Sequence, residues 1–434
     1  MSPSLSHRII FRFWAPLAGT WLLMAVEGPF IAGMMARMPN PEANLATYGL
    51  AFAFALILEA PIMMLLSAGA LFIRNEQSFK VLLRFSLILN GICTLGACLV
   101  VYPPIYKSLI SWLAPPQEAL PYLHKTLVFL IPWPGAIGLR RFYQGFLISL
   151  GQTKKITWGT TLRVTSMLGV CLILPILYPD LPGSYVGACA LSSGVCLEAL
   201  GVFLLARPYE SSLKKEDSLL TLSTISRFYV PLALTSCIAL AAQPMITFFL
   251  GKCSRPLESL AVMPVINGLV FVFRGLGLSF QEAALALLGP DEQGARELTS
   301  FSYLITGIAT AGLVLLAFTP LSTLWFQHIS GLSQSLADLA HGPLQLMVVI
   351  PLFAFQNSLQ RALAMRRSQP SLITWAMIGE VSVISVGMFL GSQSSQAGAL
   401  VACGSVALGR VVGYGTLTLS LIQSQTQKRR ISAF

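Results

Sequence analysis

The stretch IIFRFWAPLAGTWLLMAVEGPFIAGMM, residues 9–35, holds two charged side chains, Arg12 and Glu27, in 27 positions. As an α-helix it would extend about 40 Å, more than the roughly 30 Å hydrocarbon core of a bilayer. Apolar runs of comparable length recur to the end of the chain, the last over 397–422. Each must satisfy its own backbone hydrogen bonds in lipid, which makes each a helix. Composition agrees: of 434 residues, 55% are hydrophobic and 10% charged, against about 25% charged in a soluble domain. No small-residue cleavage site follows the first run, so it reads as a retained helix and not a removed signal. Twelve spans are expected, over 9–36, 45–72, 81–103, 122–150, 156–178, 184–206, 224–250, 259–288, 299–325, 343–365, 371–391 and 396–423.

The first run returns later in the chain. At an offset of 215, Arg12-Phe13-Trp14-Ala15-Pro16-Leu17-Ala18 lies on Arg227-Phe228-Tyr229-Val230-Pro231-Leu232-Ala233, Pro29 on Pro244, and Leu45-Ala46 on Leu260-Ala261. At 217, Gln152 lies on Gln369 and Ile156-Thr157-Trp158 on Ile373-Thr374-Trp375; at 212, Gly201 lies on Gly413. This is a repeat of six helices. Six is even, so the halves share one orientation and are related by a pseudo-two-fold along the membrane normal. The sequence thus predicts an all-α membrane protein with an N-terminal lobe over 1–206, a polar linker over 207–221 and a C-terminal lobe over 222–434. Two quasi-equivalent bundles are the parts an alternating-access transporter needs.

The formal charge of +11 invites a nucleic-acid reading, and its placement argues against one. Seventeen of the 28 Lys and Arg fall at the termini and in alternate loops, and five fall on the opposite side: Arg37, Lys107, Lys125, Lys252 and Arg255. This asymmetry is the positive-inside pattern, which predicts a multi-pass protein of the cytoplasmic (inner) membrane with both termini in the cytoplasm.

The other six basic residues lie within spans, where a charge costs about 3 kcal/mol even on lenient insertion scales. With the acids, the intramembrane set is Glu27, Glu59, Arg140, Arg141, Arg163, Glu198, Arg274, Glu282, Arg361, Glu380 and Arg410. The repeat pairs Glu59 with Arg274, Arg163 with Glu380 and Glu198 with Arg410, each time with opposite sign. These six are candidate gate or interlobe charges. They can pair across the pseudo-two-fold, or Arg163 can pair with Glu198 and Glu380 with Arg410 on consecutive helices. Glu27 aligns with Ala242 and stands beside Gly28-Pro29, where proline bends a helix. It is the candidate for proton or cation coupling. Arg140, Arg141 and Arg361 are candidate substrate-binding residues, because guanidinium groups bind carboxylates and phosphates bidentately.

Nothing marks an enzyme. His7, His124, His328 and His341 lie near termini or loops, and no acid–histidine pair, metal cluster or cofactor motif is visible. Seven cysteines sit in apolar runs without a Cys-x-x-Cys pair and read as buried small residues.

Short motifs add a resemblance. Gly145-Phe146-Leu147-Ile148-Ser149-Leu150-Gly151-Gln152-Thr153 resembles the end of the fourth helix in the multidrug/oligosaccharidyl-lipid/polysaccharide (MATE-like) exporter superfamily. Ala46-Thr47-Tyr48-Gly49-Leu50-Ala51 and Phe228-Tyr229-Val230-Pro231-Leu232-Ala233-Leu234 are similar to its progressive ankylosis branch. The resemblance implies a monomeric secondary transporter working among membrane lipids and exporting a small organic or phosphate-bearing anion, coupled to protons or sodium. Its other branches imply a multidrug exporter of organic cations, or a flippase for a lipid or lipid-linked precursor. An acidic cluster for sodium is absent from both lobes.

Overall fold

The structure, a computed structural model, describes residues 5–211, 213–215, 220–289, 292–367 and 369–431. Glu216 and Asp217 of the expected linker lie outside them. The chain forms α1 (His7–Ala25), α2 (Glu27–Met35), α3 (Pro41–Glu59), α4 (Leu65–Phe72), α5 (Glu76–Val101), α6 (Pro103–Leu113), α7 (Leu120–Phe129), α8 (Pro132–Ser149) and α9 (Thr153–Leu177). It continues with α10 (Gly183–Glu210), α11 (Leu222–Leu250), α12 (Pro256–Leu287), α13 (Ala295–Phe318), the short α14 (Leu321–Thr323), α15 (Gln334–Met347), α16 (Val349–Arg366), α17 (Pro370–Gly391) and α18 (Gly398–Ile431). Ten helical segments of the described residues are long and apolar enough to span a bilayer. The expected fourth and seventh spans are the broken pair α7–α8 and α11, which complete twelve.

Proline sets the breaks. A proline removes the hydrogen bond to the carbonyl four residues earlier and crowds it. α1 ends at Ala25, four residues before Pro29, and α15 ends at Met347, four before Pro351. Pro134 is the repeat equivalent of Pro351, and α7 gives way at Leu130, four residues ahead of it. In the second span, Pro61 falls in a 3-10 turn over Ala60–Ile62 that separates α3 from α4.

The repeat is visible in local conformation. Asn40 and Arg255 sit at equivalent positions, each left-handed (φ 53° and 52°) and each followed by a proline that opens the next helix. Asparagine adopts that region readily; arginine does so only where its surroundings demand it. The ends of the fourth and tenth spans also match: the Gln152 amide donates to the Leu147 carbonyl at 2.8 Å, and that of Gln369 to Ala364 at 2.9 Å. This six-to-one bond is a Schellman cap. Gly151 supplies the left-handed residue in the first, at φ 70°.

Packing departs from the lobes expected over 1–206 and 222–434. The chain divides into two compact units: unit A is Met1–Gly33 with Cys253–Phe434, and unit B is Met34–Lys252. The halves have exchanged their first spans. In unit A, α1 packs along α12, and the Trp14 indole N–H donates to the Ser279 hydroxyl at 2.8 Å and approaches the Leu276 carbonyl at 3.4 Å. In unit B, α11 packs on α3 and its 3-10 extension, and the Tyr229 hydroxyl donates to the Pro61 carbonyl at 2.6 Å. Trp14 and Tyr229 are repeat equivalents, and so are Leu276 and Pro61. The same tether is therefore built twice. Because each exchanged helix finds the same contacts it would have made in its own half, local sequence pattern carries no trace of the exchange.

Aromatic contacts finish unit A's core, with Trp14 edge-on to Phe301 and Phe355 and Phe280 stacked beside them. Unit B instead uses close backbone approach. A Cβ built on Gly145 of α8 would lie 2.5 Å from the Leu66 carbonyl of α4 and 2.9 Å from the Gly69 Cα. Without a hydrophobic drive between helices in lipid, such small-residue seams hold bundles together. Gly145→Val is therefore expected to abolish a monodisperse fold on size-exclusion chromatography in detergent, whereas Gly91→Val, with nothing within 4 Å of its Cβ, leaves the elution profile unchanged.

Candidate functional site

Unit B carries its charges on four spans: Glu59 on α3, Arg140 and Arg141 on α8, Arg163 on α9 and Glu198 on α10. Glu198 on α10 is fully buried. It accepts from Arg140 Nη1 at 2.7 Å, Gln144 Nε2 at 3.2 Å and Thr160 Oγ1 at 3.5 Å, and Arg163 Nη1 stands 3.7 Å away. Such a carboxylate is compensated on every side, as burial at this depth requires. Glu59, the last residue of α3, is held by the Trp133 indole N–H, which donates to its Oε2 at 3.1 Å.

Arg141 is different. It lies in the electrostatic field of Arg140, Glu59, Glu198 and Arg163, yet among the described residues of unit B it has no carboxylate at ion-pair distance. Its Nη2 meets only the Met63 thioether, at 3.5 Å, and its Nε is buried without a partner. A thioether is a weak acceptor. The group thus sets three arginines against two glutamates.

Unit A repeats the ion pair between its last two spans with the signs exchanged. Arg410 Nη2 on α18 bonds Glu380 Oε1 on α17 at 3.1 Å. A Cβ at Gly413 would fall 2.8 Å from Glu380 Oε2, so the glycine shared with Gly201 clears space for the pair. Arg274 on α12 lies over the Phe271 ring at 5.1 Å, a cation–π contact. The charges acting on it are Arg410, Glu380 and Arg361. Arg361 is the repeat equivalent of Gln144, and its Nε is buried without a partner. Here three arginines face one glutamate. Glu282 lies eight residues from Arg274, about 12 Å along α12, and is exposed.

Of the two pairings open from the sequence, the units contain the one between consecutive spans: Arg163 with Glu198, and Glu380 with Arg410. The sign inversion preserves each pair while reversing its direction. Glu59 and Arg274 close no ion pair inside their own units. Of the arginines expected to bind substrate, Arg140 is paired with Glu198, and Arg140, Arg141 and Arg361 each keep a buried Nε without a hydrogen-bond partner. Glu27 is buried at the first position of α2, where a carboxylate is favoured by the helix dipole. Beside it, Gly268 of α12 approaches the Pro29 ring so closely that a Cβ there would lie 3.0 Å from Cδ. Trp133, Gln144 and Thr160 were missed in the sequence. Gln144 was within reach, since it occupies the position of Arg361.

No protein-family model matches the sequence, and no curated protein sequence matches it. Solved structures do. The chain has the MATE-type transporter fold. It is similar to an inward-facing multidrug resistance MATE family transporter of the MOP superfamily (14% identity, TM-score 0.69, covering 94% of this chain and 96% of the other). It is also similar to the lipid II flippase MurJ in an inward closed conformation (12% identity, TM-score 0.74, covering 94% and 87%). A third is a MOP superfamily transporter from Pyrococcus furiosus described by the reverse polarity of its binding pocket (14% identity, TM-score 0.58, covering 96% of each). With its apolar helices, this fold makes the chain a multi-pass membrane protein.

The inverted pairs make a quantitative expectation. Glu380→Ala or Arg410→Ala alone leaves a charge without its partner and should each lower stability by about 3 kcal/mol. The exchange Glu380→Arg with Arg410→Glu recreates the polarity of Arg163 and Glu198 and should restore stability to within about 1 kcal/mol of the parent. Unfolding of the purified protein in mixed micelles measures both; additive losses would show that the pair is not coupled.

Proposed function

We propose that the protein is a secondary active transporter that exports a small organic or phosphate-bearing anion by alternating access, with units A and B as its moving parts. The observation that carries the reading is the surplus of guanidinium over carboxylate in each unit's charge group, and above all Arg141, whose hydrogen-bonding contact among the described residues is a thioether. A half-buried guanidinium left with unused donors is a binding group for an oxyanion. Arg361, with its buried Nε, serves the same end in unit A. Glu59 and Arg274, the inverted positions without an ion pair in their own units, are proposed as the gate charges, and Glu27 as an ion-coupling acid. The protein would work as a monomer in the cytoplasmic membrane with both termini inside and with protons or sodium as the coupling ion.

The fold supports transport as the class, because its solved neighbours carry transporter names. A flippase for a lipid-linked precursor is the second reading, favoured by the likeness to lipid II flippase MurJ, since such a headgroup is also anionic. Export of organic cations fits worse, because a net positive group repels them.

Reconstitution into liposomes with labelled citrate, inorganic phosphate, ethidium and a fluorescent lipid-linked precursor, under proton or sodium gradients, separates the readings. Saturable movement of citrate or phosphate is expected, with Arg141→Gln lowering kcat/KM at least about ten-fold through the loss of a charged hydrogen-bonding group. Accumulation of ethidium alone would overturn the proposal, and movement of the lipid alone would install the second reading.

A further inference from the structure

Besides Glu27, unit B offers a second acid for proton coupling, Glu59, whose charge acts on Arg141. Glu59 ends α3 at the point where the 3-10 turn over Ala60–Ile62 interrupts the span. Its one hydrogen bond comes from the Trp133 indole. Arg141 lies in its electrostatic field, and among the described residues no carboxylate reaches Arg141 at ion-pair distance. Met63, the sulfur neighbour of Arg141, lies four residues beyond Glu59 on the same interrupted stretch.

The surroundings single out this acid. The charged groups acting at this place are Arg140 and Arg141 from α8, Arg163 from α9 and Glu198 from α10. Glu198 is already satisfied by two arginines, Gln144 and Thr160, so a proton there would break a closed network. α11 contributes Tyr229, whose hydroxyl is engaged by the Pro61 carbonyl, and α5 contributes the neutral thiol of Cys93. On α7, His124 is turned to the Val101 carbonyl. Glu59 is thus the one carboxylate of the group whose protonation breaks no ion pair.

Resting on the anion reading, we propose that Glu59 and Arg141 form a single coupling site that binds an oxyanion and a proton together, so that each anion moved takes a proton with it. When ionised, Glu59 is the counter-charge of Arg141 and repels an incoming anion. Protonation turns it into a neutral acid, which removes the repulsion and leaves the guanidinium for the ligand. Linkage makes the effect reciprocal: the anion raises the site's hold on the proton by the same factor that the proton raises its hold on the anion. Export then carries acid outward with the anion, driven by the anion's own gradient.

Sulfate is a suitable probe because it stays fully ionised across the working pH. Calorimetric titration of the purified full chain with sulfate, in buffers of different ionisation enthalpy, counts the protons taken up. Net proton uptake, at most one proton per sulfate, is expected to accompany binding. Glu59→Gln, which keeps an acceptor for Trp133, should bind sulfate at least about ten-fold more tightly than the parent at alkaline pH, with no proton uptake. Arg141→Gln should lose binding. Sulfate binding by the parent without proton uptake overturns the proposal and needs no variant to fold; uptake that persists in Glu59→Gln, or parent-like binding in Arg141→Gln, does the same. In each of those cases the anion reading survives. Failure of the parent to bind sulfate at all removes both.

Discussion

Charge inside a membrane must be closed locally, and that constraint orders this molecule. A carboxylate at the depth of Glu198 is tolerable only if donors surround it before the bundle is complete, and Arg140, Arg163, Gln144 and Thr160 do so. They come from two spans, α8 and α9, and meet the carboxylate on α10, so closing the network also fixes how the three spans meet. In the other unit the constraint is met with signs reversed, by Glu380 and Arg410. A duplicated bundle can lose one polarity and acquire the other as long as both partners change, because the pair's energy depends on the product of the charges.

What escapes closure then becomes informative. Among the described residues, Arg141, Arg274 and Arg361 stay in their groups without a carboxylate of their own, an expense that stability alone does not explain. Their common sign points to a ligand of the opposite sign. The breaks at Pro29, Pro61, Pro134 and Pro351 lie on the spans that carry or adjoin these charges, and irregular backbone at membrane depth belongs where protein or a cavity can satisfy it.

Much of the fold was legible in the sequence because the bilayer simplifies the code: length and hydropathy decide the spans, and the repeat decides their order. The equivalence of Trp14 with Tyr229 is legible in the sequence alone, whereas the shared left-handed turn at Asn40 and Arg255 shows only in the backbone. The exchange of first spans was not legible, since Trp14 finds Leu276 and Tyr229 finds Pro61 by contacts that either half would supply equally well. The site divided along similar lines. Opposite charges at matching offsets revealed the inverted pairs, while an offset says nothing about which way a side chain points. Arg140 and Arg141 could not be told apart in one dimension, yet successive residues on a helix point about 100° apart. One fell onto Glu198 and the other onto Met63.

The account rests on the claim that the uncompensated arginines select an anion. Thermal unfolding of the purified protein tests it most directly, with citrate, inorganic phosphate or sulfate in one series and tetraphenylphosphonium in another, at constant ionic strength. Ligand that binds only the folded state raises the midpoint by mass action. The account predicts a saturable rise with at least one oxyanion that disappears in Arg141→Gln and none with the cation. A rise with the cation alone, unaffected by Arg141→Gln, would contradict it.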